Sequence, residues 1–397
     1  MNMMKKTRLS VACALILLVA LTSVTPVLAQ PSVTVSPYAP RFALVGDEAM
    51  GAVYYYPSND DGTFGSRSFI GDFDSADGLG IADFDNDGDY DFVVGCGGNN
   101  TIYLYTNEGA GTFTRSTVAT ITTYGYFSSL RAGDFNNDGL MDFVGGGADA
   151  ADDMNVSINN GDGTFTLMAL DRSWSAYRIW GLDVGDFDSD GNLDIIMVDI
   201  YGDSASGKIR LYLGNGDGTF NDLQVADLEA DAGAGEPWGL AAGDFNGDGA
   251  MDIVVGGDGT YAADGGAFWL YTGDGAGSLT FQGKVFDVDD GYTETPQGAV
   301  DAYDFDMDGD LDIVAVNWSG NTLFFIEGNG DGTFKPNIEV DTDLNNVLGV
   351  AAPYDGVAGP VGGDIIAINV IQVLAPYILI TAVAIGVARI AIRKKIP

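Results

Sequence analysis

The stretch "DFDNDGDYD", residues 83–91, puts five aspartates into nine positions with no basic residue among them. Carboxylates this close repel one another unless something they share neutralises them. The pattern returns as "DFNNDGLMD" at Asp134–Asp142, "DFDSDGNLD" at Asp186–Asp194, "DFNGDGAMD" at Asp244–Asp252 and "DFDMDGDLD" at Asp304–Asp312. The starts are 51, 52, 58 and 60 residues apart, the period of a repeat architecture. A second motif alternates with the first: "NDDGTF" ends at Phe64, "NEGAGTF" at Phe113, "NGDGTF" at Phe165, Phe220 and Phe334, and a looser "GDGAGSLTF" at Phe281.

Each unit contains four short apolar or alternating runs separated by Gly, Asn and Asp. In the second unit these are "YFSSLRAG", "MDFVGGG", "NVSINN" and "TFTLMAL". Such runs read as strands, and Asn-Gly or Asp-Gly between them as hairpin turns, because glycine supplies positive φ. Four antiparallel strands per unit, repeated, predict an all-β chain folded as a β-propeller. Tandem sandwiches would need longer units and linkers. "GAVYYYPSNDDGTF" (51–64) matches the second half of a blade, whereas "GVAAPYDG" (349–356) and "GDIIAIN" (363–369) echo a first half whose loop ligands are lost. Pairing these N- and C-terminal strands closes a ring of six blades, with seven as the alternative, and removes exposed edges.

The five D-F-[DN]-x-D-G-x-x-D loops and the NGDGTF turns resemble the FG-GAP/VCBS-type calcium-loop propellers related to the integrin α-subunit headpiece. The resemblance covers residues 50–370 and implies a calcium-stabilised propeller used in adhesion or ligand binding. It does not supply a ligand.

The residues support the cation independently. Calcium takes six to eight oxygens in flexible geometry. Positions 1, 3, 5 and 9 of each loop can face one centre: Asp83, Asp85, Asp87 and Asp91; Asp134, Asn136, Asp138 and Asp142; Asp186, Asp188, Asp190 and Asp194; Asp244, Asn246, Asp248 and Asp252; Asp304, Asp306, Asp308 and Asp312. Glycine at position 6 permits the sharp turn. Position 7 varies, which suits a backbone carbonyl ligand, and position 9 is the expected bidentate ligand. Position 2 is always Phe and position 8 is Tyr, Met or Leu, so both ends should anchor in the blade core. About five Ca²⁺ sites are expected, with Asn136 and Asn246 lowering the charge of two. Magnesium, which keeps more of its water, fits less well.

Composition narrows the function. Histidine is absent, which excludes Ser-His-Asp and Cys-His catalysis and His-ligated zinc. Cys96 follows the apolar "FVVG" and reads as a small core residue. There are 57 acidic residues against 17 basic, a net charge of -40, and such a surface repels nucleic acid. The acidity also suits a saline habitat.

Both ends point to a membrane. Residues 1–29 carry Lys5, Lys6 and Arg8, an apolar stretch and small residues before Gln30, the layout of a signal peptide. Residues 30–49 read as a linker and 50–370 as the propeller. Residues 371–392 are long and apolar enough for a transmembrane helix, with Arg393, Lys394 and Lys395 holding 393–397 inside as a short cytoplasmic tail. The expected placement is single-pass in the cell membrane, with the body outside.

Acidic loops join strands one and two of a blade and NGDGTF turns join three and four, so both belong to one face. The opposite face should carry the variable loops, and with them Tyr126, Trp174, Tyr177, Tyr201, Tyr261 and Trp318 as candidate ligand-binding aromatics. Trp180 and Trp238 share one register, six residues before a loop, and read as packing. Asn99, Asn155 and Asn317 begin glycosylation triplets. The leading expectation is a non-enzymatic adhesion or binding module for an extracellular glycan or protein. The alternatives are a polysaccharide lyase or hydrolase on a calcium propeller, or a structural envelope protein.

Overall fold

A computed structural model of the chain describes residues 41–47, 51–73, 76–108, 113–120, 127–147, 154–170, 178–200, 207–227, 237–257, 267–287, 299–317, 321–344 and 347–353, and its regular structure is all strand. The chain opens with β1 (Phe42–Asp47), β2 (Ala52–Pro57) and β3 (Ser68–Asp72). Five runs of four follow: β4 (Ala76–Ala82), β5 (Asp91–Cys96), β6 (Thr101–Asn107) and β7 (Phe113–Thr120); β8 (Phe127–Gly133), β9 (Asp142–Gly147), β10 (Asn155–Asn159) and β11 (Phe165–Ala169); β12 (Arg178–Gly185), β13 (Asp194–Ile200), β14 (Gly207–Gly214) and β15 (Phe220–Asp227); β16 (Pro237–Gly243), β17 (Asp252–Gly257), β18 (Ala267–Gly273) and β19 (Leu279–Asp287); β20 (Val300–Tyr303), β21 (Asp312–Asn317), β22 (Thr322–Ile326) and β23 (Ile338–Asp341). β24 (Val347–Ala351) ends the described series.

These form six four-stranded antiparallel sheets, blades 1–5 in chain order and a sixth in the order β24-β1-β2-β3. The first strands β4, β8, β12, β16, β20 and β24 contact one another in turn around the axis, so the ring is a closed six-bladed propeller. Closure pairs Val45 of β1 with Val350 of β24. The sixth blade therefore takes three strands from the N-terminal side and one from the C-terminal side, not the two halves expected. β1 lies in the segment read as a linker, 30–49. "FALVGD" is buried along its whole length because partners flank it on both sides.

The packing explains the unbroken apolar runs. In β13 ("DIIMVDI"), Ile195 and Met197 join an apolar cluster with blade 2, while Ile196 and Val198 join one with blade 4. Period-2 alternation thus serves two neighbours, with no face left for water. Six such clusters fill the six seams. Each buried aliphatic side chain contributes about 1.5–3 kcal/mol. Cys96 is fully buried among them, as its apolar context implied.

Candidate functional site

The acidic loops are built across these seams. Position 2 enters the seam with the following blade: Phe84, Phe135, Phe187, Phe245 and Phe305. Position 8 enters the seam with the preceding blade: Tyr90, Met141, Leu193, Met251 and Leu311. Both ends are anchored, but in two different inter-blade cores and not in one blade. Gly133, Gly185 and Gly243 stand just before loops two, three and four, where a Cβ would collide with Leu193, Met251 and Leu311 of the next blade.

The NGDGTF turn is more than a hairpin. The turn glycines Gly218, Gly277 and Gly332 donate their backbone N–H to the carbonyls of Phe135, Phe187 and Phe245 in the preceding blade, at 2.8–3.0 Å. Asn159 Nδ2 donates to the Phe84 carbonyl at 2.9 Å, and Ser58 Oγ to the Phe305 carbonyl at 2.7 Å. Each position-2 Phe is thus held by the next blade through its carbonyl. In four seams the ring also meets the Phe of that blade's turn, at 6.1 Å for Phe84–Phe165, 5.8 Å for Phe135–Phe220 and Phe245–Phe334, and 5.3 Å for Phe64–Phe305. Acidic loops and turns therefore share one face, as the strand order required.

Position 9 has a structural role that the spacing did not show. Asp91, Asp142, Asp194, Asp252 and Asp312 are fully buried. One oxygen of each accepts the N–H of the position-2 Phe, at 2.8–3.2 Å. The other accepts an N–H at the end of the third strand, from Asn107, Asn159, Gly214, Gly273 or Gly328, at 2.7–3.0 Å. Burial pushes all five carboxyls up to about 7, against these favourable hydrogen bonds.

Positions 1, 3 and 5 are more open. The residue at position 4 has positive φ in Asn86, Asn137, Ser189, Gly247 and Met307, and so does the glycine at position 6. The chain thereby coils around its own carboxylates. Oxygens of Asp83, Asp85 and Asp91 lie within 4.8 Å of one another, as do those of Asp186, Asp188 and Asp194, and those of Asp304, Asp306 and Asp308. Loops two and four repeat the same hydrogen bonds with Asn136 and Asn246 at position 3. This donor set is all oxygen and mostly anionic, and it fits a hard divalent cation. In the exposed turns, by contrast, Asp162, Asp217 and Asp331 each accept a Thr hydroxyl and a Thr N–H, which lowers their carboxyls.

The axis carries a second polar cluster. Buried Arg131 on β8 reaches Asp183 of β12 at 3.1 Å, Asp301 of β20 at 3.5 Å and the Val300 carbonyl at 3.0 Å. Asp183 also accepts the N–H groups of Val184 and Ala242, and Asp301 those of Ala302 and Ala352. Burial raises Asp183 to about 6, with Arg131 opposing, and raises Asp301 as well. Sequence reasoning missed these three. The signal was there: the residue three places before each loop is Gly80, Arg131, Asp183, Ala241 or Asp301, charged in three of the five repeats.

Trp180 and Trp238 pack against each other at 4.3 Å with their rings tilted by 34°, consistent with their shared register. Tyr126, Trp174, Tyr177, Tyr201, Tyr261 and Trp318 lie outside the described residues, as do 1–40 and 371–397. Among the described residues no helix is long and apolar enough to cross a membrane. Asn317 is buried at the end of β21, which disfavours it as a glycosylation acceptor.

Fold and loops together define a class, a six-bladed propeller with oxygen-rich acidic loops on one face. The FG-GAP-like repeat model matches residues 83–145, 134–197 and 197–255. Cartilage acidic protein 1 of Xenopus tropicalis is 28% identical over 163 residues, a match taking in 40% of this chain and 25% of that protein. Residues 83–255 thus carry FG-GAP-like repeats, within a chain whose described residues form a six-bladed β-propeller. Among solved structures, a Lactobacillus plantarum protein is similar over 79% of this chain and 100% of its own, with 12% identity and a TM-score of 0.53. An Agrocybe aegerita lectin recognising non-reducing terminal N-acetylglucosamine is similar over 80% and 86%, with 19% identity and a TM-score of 0.48, too loose a superposition to transfer its ligand.

Proposed function

We propose that the chain is a calcium-stabilised binding module, displayed at the cell surface on a C-terminal anchor, that engages an extracellular glycan or protein. The observation carrying this reading is the repetition of one carboxylate-lined loop in five of six blades, its last ligand hydrogen-bonded to its own blade and its position-2 and position-8 side chains anchored in the seams. A set of cation sites distributed around a ring stabilises a scaffold, whereas an enzyme needs one differentiated centre. The clustered aspartates of the described residues are also engaged by loop or axial hydrogen bonds, which leaves them poorly placed for paired-carboxylate chemistry.

Full-length protein probed against glycan and cell-surface protein panels, with calcium and with chelator, tests the reading. Calcium-dependent capture without turnover supports it. Depolymerisation of a polysaccharide panel would replace it with the enzymatic alternative, and partitioning of the full chain into the aqueous phase without detergent would remove the anchor.

A further inference from the structure

The fifth loop, Asp304–Asp312, departs from the other four. In loops one to four the position-1 carboxylate accepts the N–H groups of positions 5 and 6. These are Asp87 and Gly88 on Asp83, Asp138 and Gly139 on Asp134, Asp190 and Gly191 on Asp186, and Asp248 and Gly249 on Asp244, all at 2.9–3.1 Å. In the fifth, Asp304 accepts the N–H of Met307, at position 4, at 2.7 Å. Its other oxygen lies 3.9 Å from a guanidinium nitrogen of Arg41. The same guanidinium stands 3.8 Å from Asp60 and over the Tyr303 ring at 5.9 Å, and its Nε is buried without a hydrogen-bond partner.

The closing seam explains the difference. The sixth blade lacks the acidic nonapeptide, so it has no position-8 side chain to send into blade 5. Where blades 2, 3 and 4 keep Gly133, Gly185 and Gly243 to admit that side chain, blade 5 has Tyr303. Arg41, just before β1, lies over it. The Arg41 carbonyl accepts the Ser58 N–H at 2.9 Å, and Ser58 Oγ holds the Phe305 carbonyl, so this arginine belongs to the strands that shut the ring. Position 4 is also costlier here. Met307 takes φ 67°, a region that suits the Asn86, Asn137 and Gly247 of the other loops better than a long side chain.

We propose that Arg41 is the built-in counter-ion of the fifth loop and the competitor of calcium for Asp304. The inference rests on the calcium reading above. Calcium fills this loop only by displacing the guanidinium from Asp304, so the site is weaker than the other all-aspartate loops, Asp83–Asp91 and Asp186–Asp194, and its occupancy is tied to the seam that closes the ring. A positive charge this near a ligand oxygen repels a divalent cation enough to weaken binding on the order of tenfold at moderate ionic strength.

Calcium titration of the full chain by calorimetry, after chelator dialysis, tests this. Asp304→Asn is expected to delete a weak site and leave the tight ones unchanged, whereas Asp186→Asn, in another all-aspartate loop, deletes a tight one. Arg41→Gln is expected to tighten that weak site about tenfold and Arg41→Lys to leave it weak. Should Arg41→Gln fail to fold, the two aspartate variants decide alone. Loss of a tight site in Asp304→Asn, or weak sites that are all unchanged in folded Arg41→Gln, overturns the proposal and leaves the calcium reading standing. Absence of calcium binding by the wild-type chain overturns both.

Discussion

Position 9 can be separated from the other loop carboxylates by experiment, because its work is done before any cation arrives. Asp194 accepts the N–H of Phe187 at 2.8 Å and that of Gly214 at 2.8 Å, both buried. Asp194→Ala orphans both donors. Each buried unsatisfied group costs about 1–3 kcal/mol, so the metal-free chain should lose about 2–6 kcal/mol, a large part of the roughly 5–15 kcal/mol typical of a domain. Asp194→Asn keeps one acceptor and turns an amide NH₂ toward the other donor, and should lose about half as much. Asp190→Asn in the same loop is the control. Its Oδ1 accepts the Asn192 N–H at 2.8 Å at an exposed position, a bond that the amide oxygen can still accept. It should change metal-free stability by less than about 0.5 kcal/mol while reducing the stabilisation that calcium adds. Denaturant unfolding of the full chain, in chelator and in millimolar calcium, measures all of these. If Asp194→Ala unfolds within 1 kcal/mol of wild type in chelator, position 9 is only a ligand and has no structural role within its blade.

Chelation should lower the melting temperature sharply, and millimolar calcium should restore it better than magnesium; a metal-free chain melting within a degree or two of the loaded one would reduce the loops to acidic turns. The five position-9 carboxyls sit at about 7 in the folded chain against an ordinary 3.8, so the folded state binds more protons between those values. Metal-free stability should therefore fall as pH rises from about 4 to 7, and the gain from calcium should be larger at pH 8 than at pH 5, as melts at both pH values will show. Arg131→Met leaves Asp183 and Asp301 buried without their cation and should cost about 3–5 kcal/mol, more above pH 6 than below, by denaturant unfolding. Asp162→Asn, in an exposed NGDG turn, should leave both calcium affinity and stability nearly unchanged.

Blade number, strand order and the shared face of loops and turns could be read from the chain because they follow from period: two for strands, 51–60 for blades. The anchoring of positions 2 and 8 was legible as apolarity, but its direction was not. A Phe that packs within a blade and one that packs across a seam look the same in sequence, and only ring geometry sends Phe187 forward to blade 4 and Leu193 back to blade 2. β1 was missed because "FALVGD" carries no repeat signature, and its strand character comes from the partners on either side. The axial Arg131 was hidden for a similar reason. Its partners Asp183 and Asp301 lie 52 and 170 residues away, and nothing short of closing the ring brings them together.

Position 1 and position 9 of one loop bracket a segment whose ends lie in different seams. Ordering that segment around a cation therefore acts on two blade interfaces together. Because the NGDG glycine of the next blade grips the position-2 carbonyl, stiffening one loop also stiffens the turn beyond it, for example Gly218 on Phe135. The series runs from blade to blade until it reaches the closing seam. There the sixth blade offers Ser58 to the Phe305 carbonyl, and Arg41 where a further acidic loop would stand. The closing seam is where the N-terminal and C-terminal parts of the ring meet, through the pairing of β1 with β24. An arginine that neutralises Asp304 without calcium would keep that seam shut when the cation is scarce, while the other four loops depend on it.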